Sequence, residues 1–207
     1  MDTRRGVREK KRLRSRRIRA VLAGGLVLGI GSAATLAAWN DSEYATATFT
    51  AGRFDIVGAA DGNTFTSHAT TATAAALTFV AAPTAMAPGT TTYALFSVKT
   101  TNPSIAGALQ WNAGTPGGTG LATHLTYGVR TISGTACNST TYPGGTAVVA
   151  DGSALTANGA ATQAVLANGG NQVNYCVAVT LPLTAANAAQ SLTMTQTWQV
   201  LGTSSAP

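Results

Sequence analysis

Apolar and polar residues alternate along five stretches of the chain, and this period predicts β-strands with one buried face. In the run from Val173 to Leu181, valine, tyrosine and leucine alternate with asparagine, cysteine, alanine and threonine. A second run extends from Thr193 to Leu201. Three shorter runs surround Phe96, Trp111 and Tyr127. No stretch of useful length repeats at the helical period beyond the N-terminal region, so the sequence predicts an all-β protein.

Clusters of glycine, proline and asparagine separate these runs, as in 87–89, 101–104, 114–120, 142–145 and 168–171. Each cluster favours a chain reversal, because glycine permits positive φ and proline presets φ. Short strands joined by turns predict one antiparallel β-sandwich. Its expected aromatic core residues are Phe49, Phe54, Phe79, Phe96, Trp111, Tyr127 and Trp198.

The N-terminal region has a different pattern. Ten of the 13 lysine and arginine residues lie between Arg4 and Arg19, and the uncharged segment 20–38 follows directly. A basic region followed by an apolar one and an exit of small residues is typical of a secretory signal. We therefore expect a signal helix and signal peptide over residues 1–37, with its basic part at 1–19 and its apolar part at 20–37.

The apolar segment could also be retained as a membrane anchor, because its length approaches the ~20 residues needed to span a bilayer. Four glycines and the small-residue exit favour cleavage instead. Thr35 and Ala37 suit a signal peptidase, which would cut between Ala37 and Ala38. We accordingly expect a secreted, extracellular or cell-surface protein that meets the membrane only transiently.

The charge of the mature chain excludes one class of partner. The whole sequence has a formal net charge of +6, but residues 38–207 contain three basic and five acidic side chains, a net charge of −2. The three basic residues are scattered, and nucleic-acid binding needs a continuous basic stripe. No nucleic-acid partner is expected.

Cys137 and Cys176 are the only two cysteines. In an exported protein an even pair predicts a disulfide, here linking the loop after Ile132 to the run that begins at Val173. Two buried free thiols are the alternative.

The sequence lacks two common catalytic motifs. A catalytic zinc site needs about three nitrogen, oxygen or sulfur ligands, but His68 and His124 lie 56 positions apart and no H-E-x-x-H motif occurs. No G-x-S-x-G nucleophile elbow occurs either. We therefore predict no enzyme, no catalytic residue, no metal site and no cofactor.

Residues around the expected cleavage site resemble one family. A glycine-rich apolar segment leads into Ala37-Ala38-Trp39-Asn40-Asp41, and the segment 48–55 follows as TFTAGRFD. This arrangement is similar to the N-terminus of the TasA/camelysin family of exported fibre and surface proteins. The resemblance covers about 40 residues. The rest of the chain is similar to the family only in its general composition of threonine-rich strands and turns.

The resemblance implies several further properties. It implies a jelly-roll sandwich over residues 51–207, processing by a dedicated SipW-type signal peptidase, and a mature N-terminal strand over 38–50. In fibre-forming members this strand completes the sheet of the next subunit, which makes a homopolymer. Here the polymerisation residues would be Ala38, Trp39, Asn40, Asp41, Tyr44 and Phe49, with Trp39 as the anchor.

Three alternatives to fibre formation remain open at this stage. The N-terminal segment could fold back as an edge strand of its own domain. The protein could be a soluble secreted binding module that recognises a partner or a carbohydrate. A camelysin-like metallopeptidase is a more remote possibility, since some relatives carry that label.

Overall fold

The structure of the protein is a computed structural model that describes residues 3–34, 40–80 and 84–205. Its contacts divide the chain into two compact units, Met1–Phe49 and Thr50–Pro207. The first unit contains helix α1, Thr3–Ala34, which covers most of the basic and apolar regions. No helix among the described residues is both long enough and apolar enough to cross a membrane.

The second unit consists of ten β-strands with short 3-10 turns between some of them. The strands are β1 (Ile56–Ala59), β2 (Thr91–Thr100), β3 (Gly107–Ala113), β4 (Gly117–Gly118), β5 (Thr126–Ile132), β6 (Thr146–Ser153), β7 (Gln163–Val165), β8 (Val173–Thr180), β9 (Met194–Thr195) and β10 (Trp198–Ser204). The 3-10 turns are Thr71–Thr73, Leu121–His124, Tyr142–Gly144, Ala167–Gly169 and Asn187–Ala189.

Two antiparallel sheets form most of the unit. The larger has the order β1-β2-β8-β5-β6, the smaller has the order β10-β3-β7, and β4 pairs with β9 in a separate ribbon. Every pairing between neighbouring strands is antiparallel. The prediction of a mostly β, antiparallel architecture preceded by one helix is confirmed.

The core lies between the five-stranded and three-stranded sheets. Trp111 of β3 and Tyr175 of β8 are fully buried, and their ring centroids are 5.1 Å apart. The Tyr175 hydroxyl donates to Gln163 Oε1 at 2.8 Å, which satisfies its polar end inside the core. Valines of β5, β6 and β8 complete this cluster. The alternating residues identified in the sequence therefore supply the packing of a sandwich.

The run Thr193–Leu201 alternates in burial as expected, since Met194, Gln196, Trp198 and Val200 are half-buried and the residues between them are exposed. It is divided into two strands, however, because β9 pairs with β4 whereas β10 pairs with β3. Ala113 pairs with Trp198, and Gly117 pairs with Thr195. The step from Ala113 to Gly117 is four positions, whereas the step from Thr195 to Trp198 is three, so the β3–β4 side of the break has one extra residue. The extra residue lies in the β3–β4 connection, which contains Pro116, a residue with no N–H for a ladder.

Phe49 was expected in the core, but its side chain is 91% exposed. Trp111 and Tyr127 are buried as expected, and Phe54, Phe79, Phe96 and Trp198 are half-buried against the core.

Candidate assembly site

The segment 40–50, which the sequence marks as a strand for polymerisation, is not a strand in the described structure. Residues 40–55 carry no strand assignment, and β1 begins only at Ile56. A strand requires a neighbour to accept its backbone hydrogen bonds. The side chains of Asn40, Asp41, Tyr44 and Phe49 are all exposed, with Tyr44 at 94%.

Part of the predicted site lies outside the described residues. These are the cleavage pair Ala37 and Ala38 and the proposed anchor Trp39.

The segment has the side-chain pattern of a strand nonetheless. In 44–50, Ala45, Ala47 and Phe49 alternate with tyrosine and threonines. Successive side chains of an extended chain point to opposite faces. If the segment pairs with a sheet, one of its faces is apolar and the other polar.

Strand β10 is the free edge of the three-stranded sheet, and local hydrogen bonds fix which of its residues face outward. At one end Ser205 N donates to Ala106 O at 3.0 Å. At the other end Gly114 N donates to Thr197 O at 2.9 Å. Bonded pairs alternate in an antiparallel ladder, so the odd-numbered residues of β10 bond to β3. Backbone N–H and C=O groups therefore point away from the sheet at Trp198, Val200, Gly202 and Ser204.

The outer edges of β1, β6 and β7 each receive at least one hydrogen bond from within the unit. Gly58 of β1 exchanges two backbone hydrogen bonds with Thr66, both of 3.0 Å. At the β6 edge, Ala160 N donates to Val148 O at 2.9 Å. At the β7 edge, the Asn171 amide donates to a β7 carbonyl oxygen at 3.1 Å. No hydrogen bond from the described residues reaches the outer edge of β10.

Strand β10 also lacks the features that usually protect an edge. It contains no charged residue and no proline, and all seven of its residues pair with β3 without interruption. Natural proteins protect exposed edges with lysines, prolines, bulges or very short strands, because an open edge recruits another chain. The β10 edge therefore has none of these protections in the described structure.

Half-buried apolar side chains lie beside this edge. Trp198 and Val200 point toward the core from β10, and Phe54 and Ile56 pack next to them. A Cβ atom at Gly202 would lie 2.9 Å from the Phe54 ring and 3.0 Å from the Ile56 side chain. Glycine at this position lets Phe54 approach the strand. We call the β10 edge and these four side chains the acceptor edge.

The disulfide prediction is confirmed, and the bond lies on the opposite side of the sandwich. Cys137 bonds to Cys176 of β8, with a Cα–Cα distance of 5.3 Å. Both half-cystines are buried with Leu95, Tyr142 and Ala178 in a small cluster on the outer face of the five-stranded sheet. The bond therefore holds the loop 133–145 against that face. A disulfide is compatible with an oxidising, extracellular environment.

A polar network anchors the same loop. Arg130 Nη2 donates to Asp151 Oδ2 at 2.7 Å, and the Tyr142 hydroxyl donates to Asp151 Oδ1 at 2.5 Å. Burial raises the pKa of the Asp151 carboxyl, but these hydrogen bonds outweigh it and hold the pKa below its usual value. Burial, followed by the hydrogen bond to Asp151, raises the pKa of Tyr142.

These shifts predict an acid-sensitive stability. Because the folded-state pKa of Asp151 is depressed, its contribution is present above about pH 4, the unfolded pKa, and is lost as pH falls through the folded pKa. We expect the melting temperature to fall between pH 5 and pH 2, and Asp151→Asn to flatten part of that fall. The pKa of Asp61 is lowered to about 2, chiefly by a hydrogen bond from Thr64. Protonation of Asp61 should account for the rest of the fall in melting temperature. If the melting temperature of Asp151→Asn falls between pH 5 and pH 2 as steeply as that of the wild type, this assignment is wrong.

The histidines are separate in the described structure. His68 Nδ1 lies 2.8 Å from Thr73 O and Nε2 lies 3.0 Å from Thr66 Oγ1, whereas His124 ends the 3-10 turn after Gly120. The described residues contain no group of three histidine, cysteine, aspartate or glutamate side chains that could hold a metal ion.

The chain matches no family model and no curated protein. The acceptor edge was not foreseen from the sequence. The uncharged run WQVLGTS was the single indication in the sequence. Only the strand order shows that one edge of this strand has no neighbouring strand in the described structure.

Proposed function

We propose that the protein is a secreted structural subunit of extracellular surface or biofilm-matrix fibres, similar to the TasA/camelysin family. Subunits polymerise when the N-terminal segment of one copy adds a strand to the acceptor edge of the next. The observation that carries this proposal is the unprotected β10 edge, together with an exposed, unpaired segment of matching length. In this mode of recognition, backbone hydrogen bonds supply affinity and alternate side chains supply specificity.

The N-terminal segment and the acceptor edge match in length and in the placement of their apolar side chains. Segment 44–50 has seven residues, as does β10. When Ala45, Ala47 and Phe49 face inward, they cover the half-buried Trp198 and Val200. Asp41 and Glu43 then lie beyond the end of β10, so neither carboxylate is buried.

The finer fold assignment is part of the same proposal. Strands β1, β2, β3, β5, β6, β7, β8 and β10 form eight strands in two antiparallel sheets, which is the strand content of a jelly roll. The chain also passes repeatedly between the two sheets along its length. Export through cleavage between Ala37 and Ala38 by a SipW-type peptidase would free the donor segment.

The acceptor edge can be tested with proline at an outward-facing position. Val200→Pro removes one N–H from the free edge and none from the β3 ladder. We expect mature protein beginning at Ala38 to form fibres, and Val200→Pro to raise the concentration needed for assembly by about tenfold or more. Light scattering with negative-stain electron microscopy measures both.

Matched variants separate a blocked edge from a damaged fold. Val200→Ala shortens the same side chain but keeps the N–H, so it should assemble much more readily than Val200→Pro. Ser204→Pro, at the exposed end of the strand, provides a milder block. Circular dichroism should show a folded protein in each case. Normal assembly by folded Val200→Pro would reject β10 as the acceptor, and a mature protein that never polymerises would favour the soluble binding module.

A further inference from the structure

The inner face of the acceptor edge leaves unequal space for the side chains of an added strand. At Gly202, Phe54 and Ile56 fill the position of a side chain, since a Cβ atom there would lie 2.9 Å from the Phe54 ring. Nearer the other end of β10, Val200 and Trp198 are only half-buried. An added strand therefore meets room for a small residue at Gly202 and an open apolar surface at Val200 and Trp198.

The donor segment 44–50 has apolar side chains of unequal size, two alanines followed by Phe49. Opposite residues of paired strands share a face, so the strand direction decides where the phenyl ring lies. In the antiparallel register that keeps Glu43 beyond the end of β10, the inward pairs are Ala45–Ser204, Ala47–Gly202 and Phe49–Val200. The ring also reaches Trp198, its diagonal neighbour. The large residue meets the open surface and an alanine meets the filled position.

The parallel direction gives a poorer fit. With the segment along β10 and its apolar face inward, Phe49 lies opposite Gly202, where the Phe54 ring already occupies the space. The next register places Phe49 opposite Ser204, at the exposed end of the strand. Neither register brings the phenyl ring to Trp198.

We infer that the donor segment runs antiparallel to β10 and comes from a second copy, with Phe49 against Val200 and Trp198 and Ala47 at Gly202. This inference rests on the proposed fibre function. It adds the direction of the donor, its register and the residues that select them.

Charge does not set this direction. Arg53 lies near the Ser204 end of β10, but its Nη2 donates to Asp55 Oδ2 at 2.6 Å, so the two charges offset each other. Near the other end, the stretches 104–129 and 152–207 contain no lysine, arginine, aspartate or glutamate. Side-chain size is therefore the feature that distinguishes the two directions.

Chain reach excludes the copy's own segment as the antiparallel donor. Arg53 O accepts a hydrogen bond from Ile105 N at 2.8 Å, and the residue after Ile105 bonds to Ser205. Arg53 is therefore held level with Ser205, about 17 Å along β10 from Val200 at about 3.4 Å per residue. The four steps from Phe49 to Arg53 span at most about 14 Å. A segment with Phe49 at Val200 must belong to another subunit, and this head-to-tail contact suits a filament.

Disulfide cross-linking of fibres tests the direction. In the antiparallel register Thr50 lies opposite Gln199 on the outer face, whereas a parallel donor brings Thr50 closer to Thr203; all three residues are exposed. Thr50→Cys with Gln199→Cys should join successive subunits, because opposite Cα atoms are about 4.5–5.5 Å apart. Thr50→Cys with Thr203→Cys is the matched control, since these positions are then about 14 Å apart along the strand, beyond disulfide reach.

Both double variants of the mature protein are assembled into fibres before a mild oxidant is added. We expect about tenfold or more of the protein in a ladder of cross-linked multimers for Gln199→Cys relative to Thr203→Cys, as measured on non-reducing gels. A ladder only with Thr203→Cys shows a parallel donor. Equal ladders, or none in fibres of both variants, show that no fixed pairing exists. Each of these results overturns the inference and leaves the fibre function standing.

Two further outcomes also count against the inference. Cross-linked monomers in place of a ladder show that the segment pairs with its own copy. If neither the wild type nor the double variants form fibres, the proposed function fails together with the inference.

Discussion

Replacing both Cys137 and Cys176 with alanine is expected to lower the free energy of unfolding of the β unit by about 4 kcal/mol. The bond closes a loop of 39 residues, and the chain-entropy model gives about that value for such a loop. Alanine is the better substitute, because Cys176 is fully buried and a serine hydroxyl there would lack a partner. For a unit of this size, each kcal/mol shifts the melting temperature by about 2–4 °C, so a fall of about 8–16 °C should follow.

Thermal unfolding of the oxidised protein, the reduced protein and the double variant measures this effect. The reduced protein should approach the variant, since both lack the same constraint. Ser133→Ala changes an exposed residue of the same loop and should leave the melting temperature nearly unchanged. If the double variant melts within about 2 °C of the wild type, the loop is held by the Tyr142–Asp151–Arg130 network and not by the disulfide.

The sequence predicted the fold class because apolar and polar residue types alternate clearly in the central strand β8, which made its run at Val173–Leu181 evident. The expectation of one buried face is wrong for this strand, because seven of its eight residues are buried: one face lies in the main core and the other under the disulfide-linked loop. The edge strand β1, the glycine-containing β6 and the three-residue β7 were not recognised. Their short or irregular segments form strands only because a neighbour supplies hydrogen bonds.

The disulfide could be predicted from two cysteines and an export signal, whereas the network beside it could not. Arg130 and Asp151 are 21 positions apart, and their contact depends on the β5–β6 pairing, which contains a bulge. Gly128 faces this network, where a Cβ atom would lie 2.4 Å from Asp151 Oδ1. Nothing in the local sequence indicates that close approach.

The candidate assembly site was predicted only in its donor half. The pattern around residues 38–50 indicated an unusual mature N-terminus, and the structure shows that the described part is exposed. The acceptor half depends on strand order, since β10 is an edge only because β3 pairs with it on one side and nothing does on the other within the described chain. Strand order arises from contacts distant in sequence, and no local pattern encodes it.

Removing residues 38–50 is expected to abolish polymerisation while leaving the β unit folded. The deleted residues include no described strand, so the core should lose no packing. Every interface of a fibre uses one donor segment, so no growth occurs without it. Sedimentation should show a monomer at concentrations where the protein beginning at Ala38 forms fibres, and circular dichroism should show unchanged β content.

Point variants of the donor segment should separate anchor residues from exposed charges. Phe49→Ala is expected to weaken assembly more than Asp41→Ala, because pairing of segment 44–50 with β10 buries the Phe49 ring against Trp198 and Val200, whereas an exposed carboxylate contributes little. A synthetic peptide of residues 38–50 should bind the deleted form and cap the fibres of the intact protein. The same peptide carrying proline in place of Ala47 is the matched control, since it loses one N–H and the extended pairing that depends on it. If intact, deleted and Phe49→Ala proteins all remain monomeric at high concentration, the fibre function fails. If the deleted form still polymerises, the contacts that build the fibre lie within residues 51–207.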